Sequence, residues 1–336
     1  MIRLDRNELP FLMPSWLRER VASAIAHLDI NRYPDPGYLE LKELLASRFS
    51  LKPENIILGN GGDEILWLCF TAFTGKNRSV FFFDPSFSEY ERLSHVFGVP
   101  VVSSSISVTH EASFDSSGCG ALLRKHVPSL VLMDTPNNPT GKAIPASILE
   151  DASAWTQAVD SVLVIDEAYG EFSSDRYSDT LLQKGIPPHT VILKTLSKAW
   201  GFAGGRLGYA LCSPDVASAL EKIRSPFNVN VFSAAAASEL LRCPEIMQQN
   251  VIEVLSIRDS FVRRMNALPG WVALESDANF VLLGKQPIIP DLKDIASRSG
   301  FFLKSVTLAQ QDRTWVRISI GAREEMESLV SFLATL

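Results

Sequence analysis

Lys194-Thr195-Leu196-Ser197-Lys198-Ala199-Trp200-Gly201-Phe202-Ala203-Gly204-Gly205-Arg206-Leu207-Gly208-Tyr209 is a lysine-bearing turn between two apolar runs, Val191-Ile192-Leu193 before it and Leu207-Gly208-Tyr209-Ala210-Leu211 across its end. Thirty-two residues before Lys198, Val162-Leu163-Val164-Ile165 ends on Asp166-Glu167-Ala168-Tyr169. Working outward, similar runs recur at Ile56-Ile57-Leu58, Val80-Phe81-Phe82-Phe83 and Leu130-Val131-Leu132-Met133, with helical patterns between them. Continuous apolar runs indicate strands buried on both faces. Their alternation with helices predicts an α/β layered domain with a mostly parallel sheet. Beyond Pro226 the texture changes. Residues 232–265 read as one helix, 278–283 and 315–320 as short strands, and a last helix starts near Arg323. That predicts a smaller α+β domain.

The chain has 336 residues, enough for one large domain and one small one, and 46% of them are hydrophobic, enough for a sizeable core. A net charge of −6 with no basic run argues against a nucleic-acid partner. The four cysteines are far apart and form no CxxC pair, so neither a disulfide framework nor a zinc site is expected. The five histidines have no metal-ligand spacing, and no metal is expected. Met1 to Arg6 carries no apolar signal segment, and no run is long enough to span a bilayer. A cytoplasmic enzyme without a membrane partner is the expectation.

Several stretches carry chemistry. Gly59-Asn60-Gly61-Gly62-Asp63 follows a strand and opens a helix, where backbone N–H groups and the helix dipole can hold a phosphate; it reads equally as a tight turn. Thr135-Pro136-Asn137-Asn138-Pro139-Thr140-Gly141 makes a rigid loop at a strand's C-terminal end, the edge where open α/β sheets bind ligands, although every residue in it is also a turn former. Asp166 at that edge needs a positive partner, such as a protonated ring nitrogen, or else caps the next helix. Lys198 can attack an aldehyde only when deprotonated, and an ordinary lysine titrates near about 10.4; Arg206 would supply a nearby cation and a phosphate contact. Taken singly, Lys198 also reads as a solvated surface lysine. Arg317 alternates with Val316, Ile318 and Ile320, so it lies on the polar face of a strand or forks onto a carboxylate. Phe87 is a candidate to stack on a ring or to pack in the core. A lysine, an acid and an arginine in this arrangement point to pyridoxal phosphate (PLP).

The chain resembles the fold-type I PLP enzymes of the class I/II aminotransferase group, and within it the histidinol-phosphate aminotransferases. The resemblance runs through Asn31-Arg32-Tyr33-Pro34-Asp35, Gly59 to Glu64, Pro136 to Gly141, Asp166 to Phe172, Thr195 to Tyr209 and Arg317-Ile318-Ser319-Ile320-Gly321. It implies a large PLP-binding domain over 30–230 with a mixed, mostly parallel seven-stranded sheet. A small α+β domain would comprise 1–29 and 231–336, with 232–265 as the connecting helix. Lys198 would be the Schiff-base lysine and proton shuttle, and Asp166 would pair with the ring nitrogen. Tyr169 and Asn138 would hydrogen-bond the phenolic oxygen. Gly62, Asp63, Thr195, Ser197 and Arg206 would bind the cofactor phosphate, and Phe87 would stack on the ring. Arg317 would bind the substrate carboxylate. Tyr33 would reach the partner's site in a homodimer. The implied activity moves an amino group from histidinol phosphate or a related amino acid to 2-oxoglutarate, in amino-acid biosynthesis.

The sequence departs from that pattern at two positions. Lys304 stands where an arginine commonly binds the substrate's phosphate, and lysine offers a point charge instead of a fork. Gly205 stands where leucine is usual. The same scaffold also hosts decarboxylases, such as threonine-phosphate decarboxylase, and eliminases or cyclases. A non-enzymatic regulator on this fold would need a fused basic domain, for which the chain has no length.

Overall fold

The computed structural model describes residues 1–75, 78–174, 176–179, 185–308 and 312–336. Strand β1 (Ile2–Arg3) opens the chain. The large sheet contains β2 (Ile56–Gly59), β3 (Val80–Asp84), β4 (Val101–Val108), β5 (Ala112–Phe114), β6 (Leu130–Asp134), β7 (Val162–Asp166), β8 (Thr190–Thr195) and β9 (Gly208–Cys212). Their order is β2-β9-β8-β7-β6-β3-β4-β5. Pairing is parallel from β8 through β7, β6 and β3 to β4, while β9 runs antiparallel to both neighbours. Strands β6, β7, β8 and β9 are buried along their whole length, so each needs apolar residues on both faces, as their sequences have.

The sheet therefore has eight strands where seven were expected. The extra one is β5, a three-residue hairpin partner on the β4 edge. Strand β4 alternates between exposed and buried from Ser103 to Val108, so it lacks the continuous apolar run that marks its neighbours. The expected helix over 232–265 is two, Val231–Leu241 and Pro244–Asn266. Pro244 has no N–H to continue the first helix, and it takes the first-turn position of the second.

A second sheet, β10 (Trp271–Ala273), β11 (Phe280–Lys285), β13 (Lys304–Val306) and β14 (Thr314–Ser319), is antiparallel in the order β10-β11-β14-β13. Between these in sequence, β12 (Phe301–Phe302) pairs in parallel with β1. The first residues of the chain thus lie against its last third, and Ser319 N–H donates to the Leu4 carbonyl at 2.9 Å. Among the described residues no helix is long and apolar enough to cross a membrane.

Side chains alternate at the C-terminal ends of β7 and β8. Asp166 and Thr195 face one side, and Glu167 and Lys194 the other. Lys194 Nζ lies 3.0 Å from Glu167 Oε2 and 3.2 Å from Glu171 Oε1, and all three side chains are buried. Glu167 also accepts from the Ser178 N–H and hydroxyl. The two carboxylates hold the Lys194 ammonium charged well beyond its ordinary range, against the opposing cost of burial. Lys194→Met leaves two buried carboxylates without their cation. It is expected to cost about 3–5 kcal/mol in urea unfolding, and a loss under about 1 kcal/mol would show that the cluster does not brace these strand ends.

Candidate active site

Lys198 lies in the turn after β8, one of fourteen residues lining a cavity of about 180 Å³ at the C-terminal edge of the sheet. Asp166 reaches the cavity from the end of β7, with Tyr169 in the loop beyond it. Gly62 and Asp63 line it from the first turn of the Gly62–Phe73 helix, and Phe87 from the loop after β3. Asn138, Thr195, Ser197 and Arg206 complete the set expected to contact a cofactor. Leu66, Asp134, Ala168 and Leu193 also line the cavity and were not anticipated.

Two glycine-dependent approaches shape the helix end. Gly61 has φ of 85°, a conformation that glycine adopts without penalty, and a Cβ there would lie 2.4 Å from Arg206 Nη2. A Cβ on Gly208 would come within 2.5 Å of the Gly61 carbonyl carbon and the Gly62 nitrogen. Arg206 Nη2 donates to Asp63 Oδ2 at 2.9 Å across the first turn. At Gly205 a Cβ would fall 2.0 Å from the Phe202 ring, which fills the space a leucine would need. The structure thus accounts for that departure. In the same turn the Thr195 hydroxyl donates to the Leu207 carbonyl at 3.2 Å and accepts from Ser197 N–H at 3.0 Å.

Asp166 is not a helix cap. Its Oδ2 accepts from the Tyr90 hydroxyl at 2.8 Å and its Oδ1 from Ala168 N–H at 3.0 Å, and among the described residues no side-chain cation pairs with it. Burial pushes its carboxyl up to about 7, opposed by the Tyr90 hydrogen bond and reinforced by Asp134. Asp134 stands beside it in register on β6, raised by burial to about 6. Asp134 organises the proline-rich loop: it accepts from Ser86 Oγ at 2.8 Å, Asn137 Nδ2 at 3.1 Å and Asn138 N–H at 2.8 Å. Neither Asp134 nor Tyr90 was visible in advance. Tyr90 follows Phe87 by three residues, and their rings meet edge to face at 5.8 Å, so the helix starting at Ser88 was the available signal.

Asn138 Oδ1 accepts from Arg317 Nη1 at 2.6 Å, leaving its amide N–H groups for the cavity. Arg317 Nη2 donates to the Asp5 carbonyl at 2.8 Å, and its Nε is buried without a hydrogen-bond partner among the described residues. Burial lowers its pKa. Arg317 is therefore an inward guanidinium that donates to two carbonyl oxygens and lies over the Phe280 ring at 5.5 Å, not a solvated strand residue. Lys304 faces it across β13 and β14 as its register partner, so two cations 13 residues apart in sequence become neighbours. Lys198 Nζ donates to the Arg6 carbonyl at 3.1 Å and lies 5.6 Å from the centre of the Tyr169 ring. Tyr33, like Arg317 and Lys304, is not among the residues that line the cavity. It is 81% exposed and stacks on Phe227 at 4.6 Å.

A family model for aminotransferase class I and II matches residues 1–333. The chain belongs to the class I and II aminotransferases. It is 34% identical over 335 residues to histidinol-phosphate aminotransferase 1 of Carboxydothermus hydrogenoformans, an alignment that covers 100% of this chain and 93% of that one. The solved histidinol-phosphate aminotransferase of Sinorhizobium meliloti, in complex with pyridoxal-5'-phosphate, superposes with a TM-score of 0.87 at 26% identity, over 99% of this chain and 90% of that one. The L-threonine-O-3-phosphate decarboxylase of Porphyromonas gingivalis shares the fold with a TM-score of 0.82 at 22% identity, over 100% and 99%. As an aminotransferase most like the histidinol-phosphate enzymes, the chain uses PLP as cofactor, and the cavity fits that group. A buried carboxylate without a cation complements a protonated ring nitrogen. A lysine amine complements an aldehyde, and a helix N-terminus beside a guanidinium complements a phosphate.

The raised carboxyls give a pH signature. In the unfolded chain an aspartate ionises near about 3.9, whereas folded Asp166 holds its proton to about 7. Between those values the folded state binds the extra proton, so stability falls as pH rises. From pH 4 to 7 the cofactor-free aminotransferase is expected to lose on the order of 3 kcal/mol more unfolding free energy than its Asp166→Asn variant. Bound PLP should shrink that difference. Equal pH dependence of the two cofactor-free proteins contradicts the assignment.

Proposed function

We propose that this aminotransferase moves an amino group from histidinol phosphate, or a related amino donor, to 2-oxoglutarate, with Lys198 as the proton-transferring base. The observation that carries the reading is the meeting of Lys198, Asp166, Tyr169, Asn138 and Arg206 around one cavity, with Arg317 behind Asn138. Bound PLP supplies an electron sink conjugated with the substrate's α-carbon. Lys198 Nζ would take the proton from that carbon and deliver it to the cofactor's C4′ carbon. Asp166 keeps the ring nitrogen's proton in place, and that cation in turn relieves the cost of its own burial. Tyr169 and Asn138 donate to the phenolic oxygen. The Gly62 and Asp63 N–H groups hold the cofactor phosphate with Thr195, Ser197 and Arg206. Phe87 covers the ring and limits water.

The donor's anionic end is assigned to Arg317 and Lys304. A guanidinium whose Nε is buried without a hydrogen-bond partner among the described residues, beside a second cation, suits a substrate phosphate or carboxylate. The 34% identical relative, named a histidinol-phosphate aminotransferase, supports the same donor. Tyr33, exposed as Ile30 and Leu39 also are, is assigned to the partner's site in a homodimer. The domain division at residue 230 belongs to the same reading. The Ser15–Ala26 helix packs on Val231–Leu241, with Arg20 bridging to Glu239, which supports grouping residues 1–29 with the C-terminal part.

The test is a half-reaction. Histidinol phosphate alone should convert the bound cofactor to pyridoxamine phosphate, followed by absorbance. Lys304→Ala should weaken binding of that donor about fivefold, the size of one exposed ion pair, and leave an unphosphorylated donor nearly unchanged. In a parallel assay with L-threonine O-3-phosphate, which carries a carboxylate, release of carbon dioxide without pyridoxamine phosphate would replace the transfer by decarboxylation.

A further inference from the structure

Lys198, Tyr169 and Arg317 come from separate parts of the chain, yet all three touch one short N-terminal segment. The Asp5 carbonyl accepts from Arg317, the Arg6 carbonyl accepts from Lys198, and Asn7 Nδ2 donates to Tyr169 Oη at 3.0 Å. Asn7 is 1% exposed and has φ of 56°. A buried side chain in a left-handed backbone is held there by its surroundings.

Those surroundings fix which way the amide points. Ser319 Oγ accepts the Asn7 backbone N–H at 2.7 Å and donates its own proton to Asn7 Oδ1 at 3.0 Å. The Asn7 carbonyl accepts from Asn279 Nδ2 at 3.0 Å. With Oδ1 engaged by Ser319, the amide nitrogen faces Tyr169. A tyrosine hydroxyl has one proton and two lone pairs. An N–H donated into a lone pair leaves that proton for the cavity, and a hydroxyl that accepts is also a stronger donor.

We propose that Asn7 is a positioning residue for the reaction: by donating to the Tyr169 hydroxyl, it directs the tyrosine's single proton toward the cofactor's phenolic oxygen. This rests on the assignment of Tyr169 to that oxygen made above. Two demands converge on asparagine at this position. A left-handed φ favours glycine, asparagine or aspartate. Glycine brings no donor, and an aspartate carboxylate would take the tyrosine's proton for itself.

The experiment is a pH titration of the bound cofactor's visible absorbance in the holoenzyme. A donor to the phenolic oxygen stabilises its charged form and lowers the titration midpoint, so a weaker donor raises it. Tyr169→Phe should raise the midpoint by about one unit, a tenfold change in the proton equilibrium. Asn7→Gly should raise it by about half a unit, and the near-isosteric Asn7→Asp by about one unit. In the Tyr169→Phe background neither Asn7 substitution should add a further shift. Asn7→Asp keeps the test decisive where the glycine variant does not fold. The proposal is overturned if Tyr169→Phe raises the midpoint and the Asn7 variants do not, or if the Asn7 shifts persist without the tyrosine hydroxyl. If Tyr169→Phe itself leaves the midpoint unmoved, the Tyr169 assignment falls and this proposal with it.

Discussion

A carboxylate buried at the C-terminal end of a parallel strand is the constraint on which the rest of the site depends. Asp166 ends β7 with no cation beside it among the described residues, and the Tyr90 hydroxyl and the Ala168 N–H only partly offset its desolvation. Asp134, its register partner, adds a second raised acid at the next strand end. The adjacent Glu167 is turned to the opposite side and neutralised by Lys194. The chain therefore compensates one buried acid internally and leaves the other exposed to whatever enters the cavity. On the proposed reading a cationic ring nitrogen would lower this cost, and the glycine-lined helix end nearby suits the phosphate of the same guest.

Much of this was legible from residue order alone. Strands with continuous apolar runs, the turn holding Lys198, the acid closing β7 and the glycines before Asp63 are local patterns. The cavity gathers them as expected. What escaped was set by contacts distant in sequence or by weak local signals. Strand β4 carries serines on its exposed side and so lacks an apolar run. The helix break before Pro244 turns on a single residue. Tyr90 and Asp134 look like ordinary helix and strand residues until the sheet brings them beside Asp166. Asn7 lies 162 residues from the tyrosine it touches, and no periodicity links the two.

The substrate end is built differently from the cofactor end. Arg317 is enclosed, bonded to Asn138 and to the Asp5 carbonyl, and its position follows from β14 lying between β11 and β13. Lys304 is exposed on the neighbouring strand and contributes charge with little geometric constraint. On the proposed reading, discrimination among anionic donors would fall to one rigid fork and one flexible point charge. Chemistry and selectivity would then be divided between the large sheet and the smaller one, and the N-terminal segment touches Lys198, Tyr169 and Arg317.

We propose above all that Asp166 pairs with a protonated ring nitrogen of the cofactor. Nitrogen-15 NMR of the holoenzyme, with the cofactor labelled at that nitrogen, tests it directly. The account predicts a protonated nitrogen from pH 6 to 8 that loses its proton in Asp166→Ala. An unprotonated nitrogen in the unaltered enzyme would contradict it.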